Sequence, residues 1–156
     1  MLICAAGMEE TPKHLPGFIK FGRALGIEGL AADMMDEAMI RRHVPALMFY
    51  KENPMPDEFV KDIMMSNLRN KEDRKAMAKV TREGLFQNFL DKQCPEIKTP
   101  TLVISAKYDR VIHPTMGERY HSLIPNSKFI LIDLAAHMAP WEKAEEIAAT
   151  ITQFCR

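Results

Sequence analysis

An excess of one charge sign, a long apolar run and a cysteine framework are all missing from this sequence. Its 21 Lys and Arg residues balance 21 Asp and Glu, so no cationic surplus exists to neutralise phosphates and no nucleic-acid partner is expected. The longest apolar run near the start, Leu2 to Ala6, has no basic stretch before it and is far too short to cross a bilayer or to serve as a signal peptide. The chain reads as cytoplasmic, with no membrane partner. Three cysteines, Cys4, Cys94 and Cys155, are odd in number and widely spaced, which fits neither a disulfide framework nor a zinc site. Free thiols are expected. What is present is an ordinary globular composition, 47% apolar and 27% charged over 156 residues, with enough chain to bury roughly two thirds of its unfolded surface.

The texture of the chain changes twice. Leu2 to Ala6, closed by Gly7, looks like a fully buried strand before a turn. From Thr11 to about Asp91 the apolar spacing is helical, broken by turn signals at Leu15-Pro16-Gly17, Gly26 and Asn53-Pro54-Met55-Pro56. The spacing predicts helices over Ile27 to Arg42, over Asp57 to Asn70 with Asp57 as cap, and over Lys71 to Leu90 with Met77, Val80, Leu85 and Phe89 on the apolar face. Ten of the twelve methionines fall in the first 90 residues. They read either as gap-filling core or as a deformable apolar wall over a ligand cavity.

After Cys94 the period shortens again. Thr101 to Ser105 (TLVIS) is a β-branched run introduced by Lys98-Thr99-Pro100, and it is followed by a predicted helix from Thr115 to Leu123. A turn at Pro125-Asn126-Ser127, a strand from Phe129 to Asp133 and a last helix from Pro140 to Phe154 complete a βαβα order. That last helix has Pro in its first turn, acids near its start and an apolar face of Ala144, Ile147, Ala148, Ile151 and Phe154, as a helix lying on a parallel sheet should.

Two residues stand where chemistry is expected. Asp109 follows the TLVIS strand and His137 follows the FILID strand, and in a parallel βαβ unit both loops reach the carboxyl edge, where ligands bind. A carboxylate that fixes the tautomer of an imidazole lets the ring take a proton from a hydroxyl and return it to a leaving group. Asp133 reads as a turn carboxylate, and Trp141 as an anchor for the last helix or as a residue that touches the pocket. His14, His43, His113 and His121 share no ligand spacing with one another or with the cysteines, so no metal or cofactor site is expected.

The stretch from Ile97 to Phe154 resembles the C-terminal part of the α/β-hydrolase family: a Pro-Thr-Leu-Val-Ile strand entry, an Asp in the next loop, an Ile-Pro-Asn turn, a His after the last strand and Glu142 five residues further on. By this resemblance Asp109 matches the acid and His137 the base of a catalytic triad. The resemblance implies a partial α/β-hydrolase fold: residues 1–10 a strand of the core sheet, 11–95 a helical cap, and 96–156 the closing βαβα part of the core. Ala106 and Ala136 replace glycines usual in the family, and Pro114 lies one residue late. The family's nucleophile sits on a G-x-S-x-G elbow, and no such pattern occurs here. Ser66, Ser105, Ser122 and Ser127 are the available serines, and none lies between glycines.

The chain therefore reads as the second half of an enzyme. The expected activity is hydrolysis of esters or related small apolar acyl substrates, with the nucleophile supplied by another segment. The alternative is a catalytically inactive truncated hydrolase that acts as a binding or interaction module. Self-association, or pairing with a complementing N-terminal half, is expected at the open sheet edge.

Overall fold

The computed structural model describes residues 1–14, 17–24, 36–66 and 69–156. Its centre is β2, Thr101–Ala106, which is buried at all six positions. Burial on both faces is what a near-continuous β-branched run requires. The side chains alternate with the pleat. Val103 enters one cluster with Met8, Met116, Tyr120 and Ile124, while Leu102, Ile104 and Ala106 enter another with Ile132, Ala139 and Ile147. β1 (Leu2–Ile3) and β3 (Ser127–Ile132) flank β2 in a parallel three-stranded sheet of order β1-β2-β3.

A parallel pair needs a crossover, and α6 (Thr115–Leu123) supplies it between β2 and β3. Gly117 lets α6 lie close on β2, since a Cβ there would stand 2.0 Å from the Ser105 hydroxyl oxygen. The last helix is broken where one continuous helix is expected: α7 (Ala139–Glu142) and α8 (Ala144–Phe154) meet at Lys143, whose φ of −136° and ψ of 45° are not helical. Ile147, Ile151 and Phe154 turn α8 onto the sheet, and Ala144 and Ala148 stay exposed.

β1 is shorter than the apolar run suggests, and Leu2 and Ile3 are only half-buried. It pairs in the register Leu2 to Val103 and Ile3 to Ile104, and then Cys4 turns into the left-handed region at φ 45° and ends the strand. The helical segment comprises α1 (Thr11–His14), α2 (Gly17–Ala24), α3 (Glu37–Met48), α4 (Phe59–Met64) and α5 (Lys71–Phe86). Of the predicted Ile27–Arg42 helix, residues 27–35 lie outside the described residues, as do Leu15, Pro16 and Gly26. The described part starts with Asp36 as cap, accepting the Met39 N–H at 2.8 Å, and runs on to Met48.

Of the predicted Asp57–Asn70 helix, Asp57 and Glu58 are helical and Phe59–Met64 is a π-helical segment, in which the Met65 N–H donates to the Val60 carbonyl five residues back, while residues 67 and 68 lie outside the described residues. Asp57 caps nothing there, because its carboxylate binds the Arg41 guanidinium at 2.6 Å. α5 begins at its cap Asn70 and stops at Phe86 rather than Leu90, since Gln87 is extended and Asn88 has φ 54°. Leu85 carries the buried face of α5, Val80 is 69% exposed and Phe89 lies past the helix end. Ile40, Val44, Phe49, Phe59 and Val60 form a separate core, against which Met48, Met55, Met65, Met77 and Met138 pack. Met48, Met55, Met65 and Met77, four of the methionines in the first 90 residues, thus pack against this core as gap-filling side chains do; Met34 and Met35 lie outside the described residues. No helix among the described residues is long and apolar enough to cross a membrane.

Candidate active site at the sheet's carboxyl edge

The two loops named by the sequence converge. Past the end of β2, the Asp109 N–H donates to the Ala106 carbonyl at 3.2 Å. Its carboxylate then folds back, with Oδ1 accepting the backbone N–H of Val111 at 2.8 Å and of Ile112 at 2.7 Å. Oδ2 lies 2.9 Å from Nδ1 of His137. The Asp109 side chain is fully buried and that of His137 is 18% exposed. A buried carboxylate is tolerable only when its lone pairs are met, and here two amides and an imidazole meet them. One oxygen is spent on locking the group and the other is left to orient the ring.

On the other side, β3 ends at Ile132 and the chain turns through Leu134 at φ 50°. Asp133 is the turn carboxylate: Oδ1 accepts the Leu134 N–H at 2.8 Å and Oδ2 pairs with Lys107 at 3.1 Å on the surface. These two donors hold its carboxyl below the usual range. The Tyr108 N–H donates to the Ala135 carbonyl at 3.0 Å, so the loops that carry Asp109 and His137 are joined to each other as well as to the sheet. Among the described residues Nε2 of His137 has no hydrogen-bond partner, which leaves it available for a proton.

Cys4 also reaches this place, which the spacing of the cysteines did not disclose. Its sulfur, a carboxylate oxygen of Asp109 and a ring nitrogen of His137 lie within 4.8 Å of one another. The signal lay in the sheet register, since Cys4 follows a strand paired to β2 and its N–H donates to the Ile104 carbonyl at 2.9 Å. Burial, and then the neighbouring Asp109 charge, push the Cys4 thiol up to about 12. It is therefore a poor nucleophile at neutral pH. The three groups are cation ligands by type, but Asp109 and His137 already satisfy each other, and a cation would have to break that bond.

The remaining candidates have other work. His113 Nδ1 pairs with the Thr115 hydroxyl at 2.9 Å and His121 Nδ1 with the Ser127 hydroxyl at 2.8 Å. The Ser122 hydroxyl donates to the Arg119 carbonyl. All three cysteines are free. Trp141 stands in α7 and is 43% exposed, with its ring edge-on to Phe59 of the helical segment at 5.8 Å. Glu142 gathers three N–H donors from two parts of the chain.

A parallel sheet closed by an acid loop and a histidine loop at one edge defines a class. The alpha/beta hydrolase fold family model matches residues 31–144, most of the chain, and the chain belongs to that family. It is 38% identical over 72 residues to the proline iminopeptidase of Heyndrickxia coagulans, an alignment covering 46% of this chain and 25% of that protein. Among solved structures, Rv0554 from Mycobacterium tuberculosis is similar with a TM-score of 0.69 at 19% identity, covering 98% of this chain and 54% of its own. A serine hydrolase involved in carbazole degradation, the CarC enzyme, is similar with a TM-score of 0.64 at 22% identity, covering 77% and 47%. The matches thus span a quarter of the curated relative and about half of each solved structure.

Proposed function

We propose that this chain carries the acid–base half of a hydrolase that acts on esters or related small apolar acyl compounds. His137 is the general base and Asp109 the acid that orients it. The carrying observation is the 2.9 Å contact between a fully buried carboxylate and Nδ1, with the other carboxylate oxygen tied to two backbone amides. With Nδ1 fixed as donor, Nε2 is the nitrogen that accepts a proton from a nucleophile and returns it to the leaving group. The nucleophile comes from a segment outside these 156 residues, because no G-x-S-x-G elbow occurs in them. Residues 11–95 act as the cap over the substrate. The proline iminopeptidase likeness supports acyl chemistry, since a peptidase and an esterase share the same acid and base.

The test is complementation. Co-expressed with the upstream half of a related hydrolase that carries the nucleophile, this chain restores turnover of a short-chain ester, and His137→Ala abolishes the restored activity. The chain by itself turns the ester over no faster than a histidine-containing control protein. Restored turnover that survives His137→Ala overturns the assignment of the base.

A second reading, a catalytically inactive interaction module, is favoured by one observation. β1 stands at the edge of the sheet, and among the described residues its outer side has no strand partner. Such an edge recruits another chain. Under this reading the chain self-associates, and complementation yields a stable complex without turnover; a monodisperse monomer at high micromolar concentration counts against it.

A further inference from the structure

The acid–base reading leaves Glu142 unused, although it is the most heavily bonded side chain near the base after Asp109. Oε2 accepts the N–H of Ala136, the residue before His137, at 2.7 Å. Oε1 accepts the Tyr50 N–H at 2.6 Å and the Asn53 side-chain amide at 3.0 Å. One carboxylate thus ties the base loop to the stretch that leaves α3. No Lys or Arg pairs with it among the described residues, so its charge is met by these N–H groups alone, and hydrogen bonds to a charged acceptor are the strong kind.

The bonds around it run the same way. Asn53 also donates to the carbonyl of Leu134, the left-handed residue of the base loop, at 2.9 Å. The Met138 N–H, one residue after His137, donates to the Met48 carbonyl at 2.9 Å. Arg110, next to Asp109, donates to the Ala46 carbonyl at 3.1 Å. Residues 46–53 are therefore bonded to both loops of the pair, with Glu142 as the anion of that set and Arg110 as its cation.

We infer that Glu142 is a positioning residue for His137: by holding the Ala136 amide against Tyr50 and Asn53, it makes docking of the helical segment and alignment of the imidazole on Asp109 a single event. This rests on the reading of His137 as the base. Glu142 touches neither reacting atom and acts through the backbone next to the ring.

The experiment reads the Nδ1–H proton of His137 by nitrogen-15 NMR in the intact chain, with its solvent exchange rate and the unfolding midpoint measured on the same samples. In the unmodified chain a protected His137 Nδ1–H is expected, identified by its loss in His137→Gln. Glu142→Ala should speed its exchange at least about tenfold, the loss expected when hydrogen bonds to a charged acceptor are removed. Glu142→Gln keeps the volume but has only one acceptor oxygen for the two arms. It should fold and speed exchange by a smaller factor, so it decides the matter if the alanine variant does not fold. Lys107→Ala, which removes a surface ion pair of the same loop, should leave the exchange rate unchanged and so separates a local perturbation from positioning. Exchange at the unmodified rate in folded Glu142→Gln overturns the positioning role alone. Absence of a protected Nδ1–H in the unmodified chain overturns the acid–base pair itself, and with it the proposed function.

Discussion

The closing α/β part and the helical segment are built on different principles. In the former, β2 and β3 pair over Thr101 to Ala106 against Ser127 to Ile132, and each face of the sheet has its own cluster. In the latter, a small core of Ile40, Val44, Phe49, Phe59 and Val60 packed with methionines is tied to the rest by Met138, by the Phe59–Trp141 ring contact and by hydrogen bonds at Ala46, Met48, Tyr50 and Asn53, while Leu85 of α5 enters the cluster of Val103. The first fixes where Asp109 and His137 meet. The second bears on that pair through Glu142 and the hydrogen bonds of residues 46–53, so its small core can be altered while β2 and β3 keep their pairing.

Core truncations give the largest contrast. Ile104→Ala in β2, at a position 1% exposed, should cost about 2–5 kcal/mol and lower amide protection throughout β1, β2 and β3. Phe59→Ala should cost about 3–5 kcal/mol by the same rule, but the loss should fall on the amides of α3 and α4 while β2 and β3 keep their protection. Denaturant unfolding combined with residue-resolved hydrogen exchange measures both. Equal loss everywhere in Phe59→Ala would mean that the two parts unfold as one.

Glycine substitutions sharpen the comparison at smaller cost. Gly117→Ala puts a Cβ 2.0 Å from the Ser105 hydroxyl oxygen and should destabilise by about 1–3 kcal/mol, as overpacking does. Gly84→Ala, inside α5 with nothing within 4 Å of the new Cβ, should stabilise by about 0.5–1 kcal/mol because the unfolded chain loses freedom. Thermal melts of the two variants should move in opposite directions.

Alkaline pH should act on the α/β part through two buried groups. The Cys4 thiol is pushed up to about 12 from 9.0 by burial and the Asp109 charge, and the Tyr120 hydroxyl to about 12 from 10.0 by burial and then by Cys94 and Asp91. Both folded values lie above the unfolded ones. The stability they contribute is therefore complete below about pH 9 and is lost as the pH rises toward 12. A maleimide at pH 8 should accordingly modify exposed Cys155 and spare buried Cys4 and Cys94 until the chain unfolds. Modification of Cys4 in the folded chain would contradict its assigned environment.

The sequence was most legible where local chemistry and tertiary structure agree. TLVIS and the residues up to Ile132 are β-branched runs bounded by Pro and Asn, and Thr115 to Leu123 is helical over the predicted residues. Asp109 and His137 follow from the strand ends, since parallel strands bring their following loops to one edge. Legibility failed where a backbone state or a distant partner decided the outcome. Nothing local announces that Cys4 adopts a left-handed conformation, that Lys143 breaks the last helix, or that Asp57 binds Arg41 instead of capping. Glu142 was visible by its spacing from His137, but its partners Tyr50 and Asn53 stand some 90 residues away in the chain.

The central claim is that Asp109, not Asp133, orients the base. The direct measurement compares ester turnover by the complemented enzyme in Asp109→Asn and Asp133→Asn. The expected result is a loss on the order of 10³ to 10⁴ in rate for Asp109→Asn with assembly intact, because the amide disturbs the tautomer and orientation of His137, and near-normal turnover for Asp133→Asn. A damaging Asp133→Asn with a tolerated Asp109→Asn would contradict the account.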